Sequence, residues 1–169
     1  MRISRLSLAA ALLTFIASAA IPSAFAKASP LAGCTLPPLD TSAATHHAVS
    51  FTEGGITATD DWEAVQLTCK SGATRAVKIT TKTAFKGEIP MIEAHGKLTG
   101  PIVLGYSFGA GNRGSVTFAS KSTYTCTGGT CEFKGTLTRV GKQVGTFSGK
   151  FNPTTQTLSF NGLSWNGLS

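Results

Sequence analysis

The alternation in its last third constrains this chain most. From Ser115 onward apolar and polar residues alternate between glycine-rich turns, which is the period of half-buried antiparallel strands. A loop over Thr127 to Thr130 pairs Cys126 with Cys131, and so sets Tyr124 opposite Phe133 and Ser122 opposite Gly135. A three-residue loop at Gly141-Lys142-Gln143 then pairs Leu137 with Phe147, Gly135 with Gly149 and Phe133 with Phe151. The turn Asn152-Pro153-Thr154-Thr155 pairs Phe151 with Leu158 and Gly149 with Phe160. One face stays apolar throughout: Tyr124, Phe133, Phe151 and Leu158 form a row, and Phe160 lies beside Gly135 and Gly149, where missing side chains leave room for its ring. A one-residue slip in any turn would send these rings to opposite faces, so the agreement of three turns specifies a β-meander.

Shorter stretches upstream read the same way. Ile102, Leu104, Tyr106 and Phe108 alternate as one strand, Val77 and Ile79 as another, and Val49 with Phe51 leads into a hairpin at Glu53-Gly54-Gly55. Around Asp60-Asp61-Trp62-Glu63 a helix cap competes with a strand through Val65, Leu67 and Cys69, and the alternation favours the strand. A short helical turn is expected near Met91 to His95. Eight or nine antiparallel strands must close or stack to hide their edges, so the expected fold is a single all-β domain, a barrel or a sandwich, over residues 46–169. Residues 27–45 read as an irregular lead-in pinned by Cys34.

The first 26 residues have a different character. Arg2 and Arg5 precede an apolar run from Leu6 to Ile21 and the small-residue site Ala24-Phe25-Ala26, the pattern of a secretory signal peptide cleaved between Ala26 and Lys27. That run is shorter than the ~20 residues of a spanning helix, which implies an exported chain, secreted or periplasmic, with no transmembrane span. Leu31-Ala32-Gly33-Cys34 resembles the bacterial lipobox, which implies instead a lipoprotein anchored at Cys34; Lys27 and Pro30 interrupt the apolar run and weigh against it. Four cysteines in an exported chain predict two disulfides, Cys34 with Cys69 and Cys126 with Cys131. The longer loop should contribute more, ~3 kcal/mol in the chain-entropy account.

Two motifs suggest catalysis, and their surroundings contradict both. Gly105-Tyr106-Ser107-Phe108-Gly109 looks like the nucleophile elbow of α/β-hydrolases, which needs an acid and a histidine later in the chain; beyond Ser107 there is no His, no Asp and only Glu132. Gly109-Ala110-Gly111-Asn112-Arg113-Gly114 fits the dinucleotide fingerprint, yet a strand pattern follows it where a helix is required. It reads as a hairpin loop whose amides, with Arg113, could hold an anion. His46, His47 and His95 lack metal-ligand spacing, while Asp60, Asp61 and Glu63 crowd three carboxylates into four residues, for which calcium is the cation to try. No cofactor is implied.

Charge points elsewhere. The chain carries 15 bases and 8 acids, a net +7, and the excess is uneven: residues 95–169 hold seven bases against Glu132 alone. In the register above, Lys134 faces Lys150 on the outward side, with Glu132 two positions away to neutralise the pair. Arg113, Lys134, Arg139, Lys142 and Lys150 therefore form the expected anion-binding set, suited to an acidic glycan, a lipid headgroup or an acidic protein. Nucleic acid fits poorly, because the aromatics that would stack on bases are assigned to the core. The favoured function is an exported, non-catalytic binding module on a β scaffold. The alternatives are a small barrel-type enzyme with a cryptic pocket and a structural or adhesive envelope protein.

Overall fold

The computed structural model describes residues 31–89 and 94–166. The signal-peptide segment and residues 91–93 of the expected helical turn lie outside them. Nine strands follow in order: β1 (Cys34–Thr35), β2 (His46–Thr52), β3 (Gly55–Cys69), β4 (Thr74–Lys86), β5 (His95–Phe108), β6 (Asn112–Thr127), β7 (Thr130–Arg139), β8 (Lys142–Asn152) and β9 (Thr157–Trp165). From β3 to β9 each strand pairs antiparallel with the next, while β1 and β2 share the other edge of β3. The result is a nearly closed eight-stranded barrel.

The N-terminal segment does more than lead in. Cys34 and Thr35 pair with Cys69 and Thr68 on β3, after which the chain crosses to the opposite edge of the sheet. There the Leu36 amide donates to the Trp165 carbonyl at 3.2 Å, and Leu39 and Leu163 exchange two backbone bonds of 3.1 Å. A 3-10 turn at Thr41–Ala43, capped by Asp40, lets the Thr41 hydroxyl accept the Phe160 amide at 2.7 Å. Trp62 on β3 reaches the same segment, its indole N–H donating to the Asp40 carbonyl at 2.8 Å. Much of the edge of β9 is thus satisfied by chain that is also fixed to β3.

Both disulfides form as expected, Cys34 with Cys69 and Cys126 with Cys131, each joining residues directly opposite across a strand pair. The Cys34 sulfur that a lipid anchor would need is therefore bonded to Cys69. Two such bridges are a mark of an oxidising compartment. Among the described residues no helix is long and apolar enough to cross a membrane.

Aromatic rings fill the interior. Phe85 stacks on Phe147 with centroids 5.8 Å apart, and Phe133 meets Phe160 edge to face at 5.7 Å. Tyr124, Phe151 and Leu158 lie in the same buried cluster, so the apolar face expected from the meander is the inner face. Outward positions on β5 to β8 include charged residues and hydroxyls, among them Lys97, Lys121, Glu132, Lys134 and Lys150, where a bilayer-spanning barrel carries an apolar band.

The register within that face differs from expectation at the middle hairpin. The β6–β7 and β8–β9 pairings are as derived: Tyr124 faces Phe133, Phe151 faces Leu158 and Gly149 faces Phe160. Between β7 and β8, however, Leu137 faces Gly145, Gly135 faces Phe147 and Phe133 faces Gly149, a shift of two residues. The cause is a tight turn at Val140-Gly141, both with positive φ, followed by an irregularity that leaves Val144 unpaired. The tight turn alone would reverse the faces of β8, and the extra residue restores them. Consequently Phe133 sits over Gly149 and Phe147 over Gly135, each ring taking the space that a glycine leaves. A Cβ at Gly149 would lie 2.0 Å from the Ser159 carbonyl oxygen and 2.6 Å from the Phe133 ring.

Gly149→Ala should therefore cost about 1–3 kcal/mol as an overpacked core substitution. Gly105→Ala, whose added carbon finds its nearest neighbour at 3.7 Å, should stay within about 0.5 kcal/mol. Urea denaturation of the two variants measures the contrast, and equal midpoints would refute the ring-over-glycine account.

Candidate functional site

Two residue rows cross the outer face of β5 to β9. One runs Lys97, Thr123, Lys134, Ser148, Gly162; the other runs Thr99, Lys121, Thr136, Thr146, Ser164. Every member follows from strand parity, because its chain neighbours Leu98, Ser122, Phe133, Phe147 and Leu163 point into the core. Between the rows the outer surface is concave, forming a groove of about 790 Å³ that Pro38 flanks at the β9 side. Ser122, Gly135 and Phe147 contribute its floor.

Gly135 explains part of that shape. A Cβ there would fall 2.4 Å from the Lys121 carbonyl oxygen and 2.6 Å from the Phe147 ring, so the strands approach more closely than any other residue would allow. The irregularity between Ser148 and Gly149, where β8 meets β9, bends the sheet further. A smaller hollow of about 340 Å³ shares Thr123, Lys134 and Ser148 with the groove and extends it to Glu132 and Asn161.

The electrostatics of the groove are one-sided. Lys97, Lys121 and Lys134 are exposed, and none has a salt-bridge partner among the described residues. Lys97 and Lys134 stand two strands apart in one row, roughly 9.6 Å at the usual strand spacing, and Lys121 lies between them in the adjacent row. Among the described residues no carboxylate lines the main groove, and Glu132 in the adjoining hollow is held by Lys150. Its remaining polar groups are hydroxyls, which can both donate and accept.

The five basic residues singled out from the sequence are divided by the fold. Lys134 lies in the groove. Lys150 faces Glu132 rather than Lys134, and binds it at 2.9 Å; that ammonium holds the Glu132 carboxyl below its ordinary range by hydrogen bond and charge. The expected opposition of Lys134 and Lys150 fails because of the two-residue shift at the β7–β8 hairpin, which sets Ser148 opposite Lys134. Arg139 and Lys142 flank the β7–β8 turn, and Arg113 follows the β5–β6 turn opposite Ser107. Arg113 lies five residues before Phe118, the β6 position that the register extends opposite Arg139, roughly 17 Å away, so these do not make one site.

Lys97 and Lys121 were missed. Lys121 could have been found by continuing the Cys126–Cys131 hairpin through Thr136, since parity turns it outward beside Thr123. Lys97 depends on the β5–β6 register, which the glycine-rich loop conceals because several turn lengths fit it.

The acid and histidine candidates also separate. Glu63 pairs with Lys78 at 2.9 Å on the surface, His46 and His95 are exposed, and Asp61 turns away from Asp60 along the strand. Among the described residues no three His, Cys, Asp or Glu side chains gather to hold a metal ion. Ser107 lies in strand β5, paired with Lys78 and Arg113, and β6 follows instead of a helix. His47 and Asp60, however, do meet. Asp60 points into the barrel with 0% exposure, hydrogen-bonded to the His47 Nδ1 on β2 and within 3.5 Å of the Thr81 hydroxyl on β4. Burial raises the Asp60 carboxyl pKa, and the His47 hydrogen bond opposes that rise only in part.

A carboxyl whose pKa is raised by folding adds stability below its unfolded pKa, and that stability is lost as pH rises through the folded value. The wild type should thus gain stability relative to Asp60→Asn as pH falls from 7 through this titration. Denaturant midpoints of both proteins at several pH values test this, and a relative loss on acidification would contradict the assignment.

Comparisons with protein families, with curated proteins and with solved structures return no match. The chemistry of the groove therefore rests on its own residues.

Proposed function

We propose that this protein is an exported, non-catalytic binding module whose outer face on β5 to β9 takes an acidic glycan. One observation carries the reading: three lysines that have no carboxylate partner among the described residues converge on a concave, hydroxyl-lined groove. Exposed lysines scattered on convex surface bind small ions weakly, whereas a groove lets several of them face one chain at once. Thr and Ser hydroxyls suit a ligand that presents hydroxyls of both donor and acceptor character.

Two competing partners fit less well. A lipid headgroup layer is flat and conforms poorly to a concave groove. An acidic protein segment supplies carboxylates, but it makes little use of the hydroxyl rows. Export is supported by the signal-like N-terminal segment together with the two disulfides, secretion and a periplasmic location being equally compatible with both.

Calorimetric titration with oligogalacturonates at low and high salt tests the proposal. Binding should weaken as salt rises, and a Lys97→Ala, Lys121→Ala, Lys134→Ala protein should lose about tenfold or more in affinity. Lys142→Ala at the barrel end should bind as the wild type does. Failure of acidic oligosaccharides to bind at low salt, or an equal loss from Lys142→Ala, would overturn the proposal; stronger binding to an acidic peptide or to anionic vesicles would reassign the partner.

A further inference from the structure

The groove is not uniform along its length, and its asymmetry constrains the ligand. All three lysines stand on β5, β6 and β7. The β8 and β9 part of the same two rows holds Thr146, Ser148, Gly162 and Ser164, with no charge. Strand β9 has no ionisable side chain at all over Thr157–Trp165. The nearest charges on β8 do not alter this, because Lys150 is bound to Glu132 in the next row and Lys142 sits at the hairpin turn.

Resting on the acidic-glycan reading, we infer that the groove binds its ligand in one orientation, with the anionic sugar over β5 to β7 and uncharged sugars over β8 and β9. Five strands at the usual spacing give a track roughly 19 Å long, enough for a short oligosaccharide lying across the strands. A carboxylate over β8–β9 would lose water without gaining a cation, whereas over β5–β7 it meets three. Neutral hydroxyls exchange their bonds to water for bonds to Thr146, Ser148 and Ser164 over the β8–β9 half. The preferred ligand is therefore an oligosaccharide with a terminal uronate on an otherwise neutral chain, rather than a uniformly charged polymer.

Two tetrasaccharides separate these cases: tetragalacturonate, and three glucose units ended by one glucuronate. The mixed compound should bind at least as tightly as the fully acidic one, and Ser164→Trp, which obstructs the neutral half, should weaken the mixed compound by about tenfold. Methyl glucuronoside should be indifferent to Ser164→Trp. Amide shift mapping on the unaltered protein guards against a misfolded variant, and should show perturbation on β8 and β9 with the tetrasaccharide but only on β5 to β7 with the glucuronoside. Tighter binding of tetragalacturonate than of the mixed compound, or shifts confined to β5–β7 with the mixed tetrasaccharide, would overturn the orientation alone. Absence of binding by both tetrasaccharides would remove the glycan reading itself.

Discussion

The structure depends on how an open sheet hides two edges. A short length of chain, from Cys34 to Ala44, is tied to β3 by a disulfide, a strand pair and the Trp62 indole, and to β9 by backbone bonds and the Thr41 hydroxyl. Without that strap the β9 amides of Leu163 and Phe160 would lose their partners at the barrel seam, at a cost of about 1–3 kcal/mol for each donor left buried and unsatisfied. The Cys34–Cys69 bond, besides cross-linking the unfolded chain, anchors the strap to β3.

Closure has a consequence for the outer surface. Strand parity sends Phe133, Phe147 and Phe160 inward, so the residues beside them point outward, among them Lys134, Thr146, Ser148 and Ser159, with Glu132 and Asn161. The glycines that seat the rings also draw neighbouring strands together, and the sheet becomes concave on the outside where Phe147 packs over Gly135. Interior packing and the exterior groove are thus two results of one arrangement. A substitution at Gly135 would disturb both, whereas the surface lysines can change with little effect on the core.

Much of this was legible in the sequence, and the parts that were not have identifiable causes. Face assignment survived in the meander because side chains alternate with period two, and the error at β7–β8 was an even number of residues. The pairing itself failed there because a valine at positive φ is rare, so Val140-Gly141 does not advertise a two-residue turn, and an unpaired Val144 has no sequence signature. That single slip produced the false Lys134–Lys150 opposition, while Arg113, Arg139 and Lys142 lie apart because they sit at different turns. The role of residues 31–45 was hidden for a different reason: a strap has no periodicity, and its bonds reach residues more than a hundred positions away. His47 and Asp60 are thirteen residues apart, and only the β2–β3 register brings them together.

We propose that the lysine-lined groove, and not a barrel end, is where this protein meets its ligand. A crystal structure with a bound uronate-terminated oligosaccharide tests it directly. The account predicts the carboxylate among the ammonium groups of Lys97, Lys121 and Lys134, with the sugar chain running toward Pro38. A ligand seated instead at the turns beside Arg113 or Arg139 would contradict it.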